Sequence, residues 1–356
     1  MINVTQPYLP LFEEYEKYLR KIWEKKWLTN HGPLVQELEQ KLKDYLGVKH
    51  LLFVNNGTIA LQLALKALGV KGEVITTPFS YVATTNSILW EGCIPVFADI
   101  NNKDFNIDPN NIEPLITSDT VAILATHVYG NPCDVDAIEK IAKRHNLKII
   151  YDGAHAFGAE LDGKQVLSFG DISTCSFHAT KIFHTIEGGA IITNNDALAE
   201  KMLLYRQFGH VGDNHFSIGI NGKNSEFHAA MGLCLLPLID QFILKRKKIS
   251  NLYDQLLKDL PIQRPVSMIG TIYNYSYYPI IIDNEERLLA IISLLQKNNI
   301  NTRRYFYPSL NNLPQFIGED CPISQAICVR AIALPIYYEL EESDIYNICE
   351  LIKTCF

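Results

Sequence analysis

Lys181 stands in SFHATKIFHTIEGGAI (residues 176–191), between DISTCSF and GAIIT, which both read as strands. A lysine so placed either snorkels its ammonium out to water along its apolar stem, or keeps its amine inside. There an amine can add to a carbonyl and form a Schiff base. Asp152 ends the apolar run KIIYD. A carboxylate at that end of a strand is either a helix cap or a group needing a cation or several hydrogen bonds. His155, in the same YDGAHAFGA stretch, is a core histidine or a further polar member of that site. Asn56-Gly57-Thr58 lie between a strand-like and a helix-like run. Gly57 lets backbone approach an anion, Thr58 adds a hydroxyl, and a helix start favours negative charge; a plain N-cap gives the same pattern.

Taken together, these residues supply a phosphate cradle, a semi-buried aspartate and a lysine preceded by Ser176. Pyridoxal 5′-phosphate needs that set: a lysine for a Schiff base, an anion for its pyridinium nitrogen and donors for its phosphate. Other cofactor motifs fail. The chain has no G-x-G-x-x-G, and GAELDGKQ (158–165) approaches a P-loop but has Gln165 where a hydroxyl must hold magnesium. Asp162-Gly163 within it reads as a β-turn. The eight cysteines form no C-x-x-C pair and no zinc-like spacing, so no metal is expected.

The elements that must position these groups alternate. Residues 11–27 and LVQELEQKLKDYLGV read as amphipathic helices, the second ended by Gly47. Then come strand HLLFVNN, helix IALQLALKAL, strand EVITTP, helix TTNSILWEG and strands PVFADI and VAILATHVY. Helix VDAIEKIAKRHN and strand LKIIYD follow. This alternation predicts an α/β domain with a largely parallel sheet over residues 1–235. From residue 236 a long helix leads to strand TIYNYSYYPIIID, helix RLLAIISLLQKNN, strand INTRRYF and helix ESDIYNICELIKTC. Those elements predict a smaller α+β domain over 236–356.

At 356 residues, 47% hydrophobic and 20% charged, the composition is that of a soluble globular protein. A formal charge of −7 argues against nucleic acid as a partner, and Lys245-Arg246-Lys247-Lys248 is expected on a solvated helix face. Several cysteines sit in apolar runs, which fits a reducing, cytoplasmic setting. Neither a leader nor a membrane-spanning stretch is expected.

The chain resembles the DegT/DnrJ/EryC1/StrS family of pyridoxal-phosphate-dependent sugar aminotransferases. The resemblance rests on NNGTIALQLAL, ITTPFSYVATTNSILWEG, HVYGNPCDVDAI, IIYDGAHAFGA, SFHATKIFHTIEGGAI, GINGKNSEFHAAMGL and TRRYFYP, in the family's order. It implies aminotransferase fold type I, with a large domain built on a mainly parallel seven-stranded-type sheet. Carried across, it makes Lys181 the Schiff-base lysine and Asp152 the partner of the pyridine nitrogen. Gly57, Thr58 and Ser176 become phosphate-binding positions, Tyr81 the aromatic over the ring, and His155 the group beside the ring's 3-hydroxyl. Asn221 and Lys223 resemble a segment that reaches the cofactor phosphate of a neighbouring subunit, which implies a homodimer with active sites at the interface. Asn224 stands where the family often has Met or Leu.

Arg303, Arg304 and Tyr305 either meet a nucleotide diphosphate or are surface groups beside a strand. The implied reaction transfers an amine from L-glutamate to a nucleotide-linked keto-deoxysugar. The start VTQPYLP and the SFHATK motif resemble enzymes acting at C4 of dTDP-4-keto-6-deoxy-D-glucose, on the way to surface polysaccharide such as O-antigen or to an antibiotic. The alternative is a C3 transfer on a dTDP-3-keto-6-deoxyhexose. Further alternatives are a dehydratase or epimerase using the same lysine, and a non-catalytic cofactor sensor.

Overall fold

A computed structural model describes residues 1–316 and 318–356. Its centre is a seven-stranded sheet. Across it the strands run His50–Val54, Gly189–Thr193, Ile172–Ser176, Lys148–Asp152, Thr120–Thr126, Glu73–Thr76 and Ile94–Phe97. Only Gly189–Thr193 runs against its neighbours; the other pairings are parallel. The parallel strands are near-continuous apolar runs because helices cover both faces of the sheet. Their C-terminal ends therefore converge on one edge, where an open α/β sheet takes its ligands.

Register does the fine positioning. Thr126 lies beside Asp152, and Asp152 beside Thr174. One layer over, Ser176 pairs with Gly189, and Gly189 with Val54. The strand-borne candidates, Asp152 and Ser176, are thus set in register with their neighbours.

The helix Pro33–Leu46 shows how sequence sets an element. Proline stands at its start, and Gly47 ends it with φ 59°. Leu38, Leu42 and Leu46, spaced by four, are almost completely buried, each worth about 1.5–3 kcal/mol relative to exposure. Its first amides, of Leu34 and Val35, donate to the Glu226 carboxylate at 2.8 and 3.0 Å. A distant buried side chain therefore does the capping.

The hairpin expected at Asp162-Gly163 forms between Glu160–Leu161 and Lys164–Gln165, with φ 50° and 74° at its two corner residues. That left-handed pair is the turn whose twist suits a hairpin. The C-terminal part carries a separate apolar cluster, in which Tyr278–Ile281 pairs antiparallel with Ala331–Leu334. Helices Glu285–Lys297 and Glu342–Lys353 and part of Ile239–Leu257 pack on it.

Four sequence expectations differ from the structure. The strand expected over 271–283 is broken: Thr271–Ile272 pairs with Glu160–Leu161, and only Tyr278–Ile281 joins the small sheet. Between them, Asn274 and Ser276 spend their hydrogen bonds on the loop after Asp152 rather than on a ladder. INTRRYF forms no strand, only single bridges at Ile300 and Arg303, because the chain turns inward to bury Phe306. Tertiary packing overrides β-propensity there. The partner strand is instead Ala331–Leu334, too short an apolar run to stand out.

Arg246 is not on the solvated face. It is 5% exposed and donates to the carbonyls of Tyr275 and Ser276 at 3.4 and 3.1 Å. Finally, the continuous run Glu226–Leu257 is long and apolar enough to cross a membrane by composition, but half of its most apolar window is buried inside the protein. It is a core helix pair.

Candidate active site

At the C-terminal edge of the sheet lies a cavity of about 270 Å³. It is lined by Gly57, Thr58, Tyr81, Asp152, His155, Ser176, Lys181, Arg303 and Tyr305, with Phe306 at its back. Nine of the residues singled out in the sequence are brought together here.

Asp152 ends the strand Lys148–Asp152 and is 5% exposed. Its Oδ1 accepts the Ala154 amide at 3.0 Å and its Oδ2 the Thr84 hydroxyl at 2.7 Å. Thr84 gives its proton to the carboxylate, so the Ser80 hydroxyl must donate to Thr84 at 2.8 Å, and Thr126 to Ser80 at 3.0 Å. A file of three hydroxyls thus points at the carboxylate. Among the described residues no cation touches it. Burial raises its pKa, opposed by the Thr84 and Ala154 hydrogen bonds and by the Lys181 charge. Thr84 escaped the sequence reading; it lies in the first turn of the helix Val82–Trp90, with Ser80 just before that helix.

Lys181 sits on a loop closed by backbone bonds from Phe177 to Gly188 and from Thr185 to Phe177. Phe183 anchors that loop, stacked on Phe157 at 4.7 Å and edge-on to Phe177 at 4.8 Å. The second glycine of the motif answers to close approach. A Cβ on Gly189 would stand 2.6 Å from the Asn56 carbonyl, so only glycine lets its strand pass the turn that starts the next helix. From the loop the Lys181 amine reaches into the cavity and donates to the Tyr277 hydroxyl at 3.1 Å. Tyr277 was visible in the sequence only as one tyrosine of a tyrosine-rich stretch.

The helix Gly57–Leu68 begins against this loop. The Asn56 side chain takes the Ile59 amide at 2.8 Å and the Asn56 carbonyl takes that of Ala60 at 3.2 Å. The Gly57 and Thr58 amides are first-turn groups without an intrahelical acceptor. A Cβ on Gly57 would lie 3.0 Å from the Ser176 Cβ, so the missing side chain is what leaves room between them.

His155 is buried, its ring stacked on Phe306 and edge-on to Tyr277. Its Nδ1 has no partner among the described residues. Burial, and then the Lys181 charge, hold it far below its usual pKa, so the ring is neutral. The Cys175 thiol on the same wall is pushed up to about 12 by burial and is a bystander. Tyr81, 53% exposed, stands at the mouth, immediately before the helix Val82–Trp90.

Three candidates lie elsewhere. Asn221 is exposed and Lys223 half-buried, the latter with its ammonium 4.8 Å from the Phe208 ring centre. Asn224 beside them donates to the carbonyls of Val54 and Glu187 at 3.3 and 3.0 Å, a role Met or Leu could not fill. Arg304 points away from the cavity. It pairs with Glu285 at 2.8 Å, donates to the Val329 carbonyl and covers the Tyr307 ring. Arg303 reaches the cavity, with its guanidinium over the Tyr305 ring and no carboxylate partner among the described residues.

Comparison with known proteins places this geometry. The family model described as the DegT/DnrJ/EryC1/StrS aminotransferase family matches residues 11–353. The dTDP-4-amino-4,6-dideoxy-D-glucose transaminase of Shigella dysenteriae is 46% identical over 360 residues, covering 99% of this chain and 98% of that one. The Escherichia coli protein of that name is 45% identical over 362 residues, with the same coverage. The solved structure of DesI in the presence of its TDP-sugar product superposes with a TM-score of 0.95 at 31% identity, covering 99% of this chain and 92% of that one.

Fold and site thus define a pyridoxal-phosphate-dependent aminotransferase of fold type I. Within that class, this chain belongs to the DegT/DnrJ/EryC1/StrS aminotransferase family.

The residues present fit the cofactor. A buried carboxylate without a cation matches a protonated ring nitrogen, which supplies the missing charge. The unpartnered His155 Nδ1 matches a ring hydroxyl. Free first-turn amides with the Thr58 and Ser176 hydroxyls match a phosphate.

Proposed function

We propose that this enzyme transfers the amino group of L-glutamate to C4 of dTDP-4-keto-6-deoxy-D-glucose, giving dTDP-4-amino-4,6-dideoxy-D-glucose. Full-length identity of 46% to a transaminase named for that product carries the reading. Bound pyridoxal phosphate supplies an electron sink that makes the donor's α-proton removable.

The residues of the cavity take the remaining work. Lys181 would hold the cofactor, and its free amine would take and return the proton of the reacting carbon. Asp152 keeps the ring nitrogen protonated, with its Oδ2 oriented by Thr84. Gly57, Thr58 and Ser176 bind the phosphate, His155 meets the ring hydroxyl, and Tyr81 covers the ring from the mouth. Arg303 is the one arginine of the TRRYFYP segment placed to meet the nucleotide diphosphate, with Tyr305 beside it; Arg304 is committed to Glu285. The reaction takes place in the cytoplasm, in keeping with eight unpaired cysteines.

The test is the product. Incubating the holoenzyme with L-glutamate and the 4-keto sugar should give an amine on C4 by NMR. An amine at C3 of a 3-keto isomer, with the 4-keto sugar untouched, overturns the reading.

Asn221 and Lys223 serve the cofactor phosphate of a second subunit in this reading. Support comes from the segment that precedes them, which leaves Phe216 and Ile218 at 65% and 84% exposure, an apolar surface a homodimer would cover. Mixing Lys181→Ala with Lys223→Ala subunits, each inactive alone, should restore about a quarter of the sites by random pairing of a twofold dimer. A mixture as inactive as its components contradicts a shared site.

A further inference from the structure

Tyr277 is 3% exposed, and its hydroxyl is the only hydrogen-bond partner of the Lys181 amine among the described residues. The phenol is boxed in. The His155 ring meets it edge-on at 4.9 Å, Tyr305 edge-on at 5.2 Å, and Tyr129 lies tilted at 6.1 Å. It cannot swing off the amine without displacing buried aromatics.

Its backbone is equally fixed. Asn274 donates to the carbonyls of His155 and Phe157 at 2.7 and 2.9 Å, and Ser276 donates to the His155 carbonyl at 2.7 Å. Arg246 ties down the Ser276 carbonyl at 3.1 Å. The bonds of Asn274 and Ser276 join the Tyr277 segment directly to the loop that follows Asp152. They also account for the break in the expected strand over 271–283, which frees Asn274 and Ser276 for this purpose. The phenol is therefore held in register with the carboxylate, although the two come from distant parts of the chain.

From this geometry we infer that Tyr277 is a positioning residue for Lys181: its phenolic oxygen holds the free amine at a set place and orientation whenever the amine is not covalently engaged. The inference rests on the reading that Lys181 is the cofactor-binding and proton-moving amine. An amine that gives one N–H to the phenol is fixed in direction, and part of the freedom of its four-carbon stem is removed. Fixing a reacting group in this way removes orientational entropy from each step, and a misplacement of about 1 Å can cost roughly 10²-fold in rate.

Tyr277→Phe keeps the ring and its packing and deletes only the oxygen. The first measurement is on cofactor-free full-length protein mixed with pyridoxal 5′-phosphate, quenched with borohydride at intervals and mapped by peptide mass spectrometry. Covalent capture at Lys181 should be about tenfold slower in Tyr277→Phe, with the thermal midpoint unchanged. The second is on the holoenzyme with L-glutamate and its α-deuterated form. The deuterium isotope effect on the glutamate half-reaction should rise, and kcat should fall by about tenfold or more with KM for glutamate within a factor of two. A structural role for Tyr277 would lower the midpoint and leave the isotope effect alone. Capture at Lys181 with rates and isotope effects within a factor of two of wild type overturns the role of Tyr277 and leaves that of Lys181 standing. Capture on another lysine in the wild-type protein overturns both.

Discussion

Replacing Lys181 by alanine is expected to abolish amino transfer, lowering turnover by at least about 10⁴-fold, the upper range for losing one general acid–base group. Here the same amine is also the covalent anchor, so two functions go at once. The fold should survive. The Lys181 loop is closed by its own backbone bonds and by Phe183, and its side chain gives up a single hydrogen bond, to Tyr277. Cofactor should still bind through the Gly57, Thr58 and Ser176 wall. The visible band of the lysine-bound form should be lost, and added small amines should restore part of the rate. Turnover within tenfold of wild type, or persistence of that band, would assign the anchor to a different lysine.

Asp152→Asn should separate catalysis from stability. Loss of a buried charge partner costs about 3–5 kcal/mol, which at 1.36 kcal/mol per decade lowers turnover by roughly 10²–10⁴-fold. The cofactor-free protein should respond in the opposite sense. Its Asp152 carboxyl is raised above the ordinary aspartate range, first by burial. A raised carboxyl costs the fold nothing below the unfolded-state pKa, and stability is lost as pH rises through the folded-state value. At neutral pH the cofactor-free wild type therefore carries a penalty that asparagine removes. Its thermal midpoint should equal or exceed that of wild type at pH 7, and the difference should vanish in acid. A large loss of midpoint at pH 7 would make Asp152 a structural cap and remove it from catalysis.

The contrast between those two variants reflects how the sequence encodes the site. Asp152 and Ser176 are legible because each ends a strand, Gly57 because it opens the helix after one, and Lys181 because it lies between two strands that sequence periodicity locates well. The register that aligns Thr126, Asp152 and Thr174 follows from the same strands.

What was not legible came from distance along the chain. Tyr277 meets Lys181 across 96 residues and Asn274 meets the loop after Asp152 across 119, in a stretch whose alternation of tyrosines predicts a strand. Three buried hydrogen bonds outweigh that propensity. Arg246 reads as one of four exposed basic residues, yet a buried guanidinium is needed to satisfy carbonyls left free by the same break. Arg303 and Arg304 are adjacent and chemically alike; only the position of Glu285 and the inward turn at Phe306 separate one from the other. Local pattern fixes where elements begin and end, whereas long-range polar satisfaction decides which side chains face the cavity.

The most direct test of the central claim, a two-stage transfer through one lysine-bound cofactor, uses ¹⁵N-labelled L-glutamate with purified holoenzyme and no sugar. The account predicts one equivalent of 2-oxoglutarate per bound cofactor and then a halt, followed by appearance of ¹⁵N on C4 when the 4-keto sugar is added. Keto acid released only in the presence of sugar, or a sugar product without ¹⁵N, would contradict it.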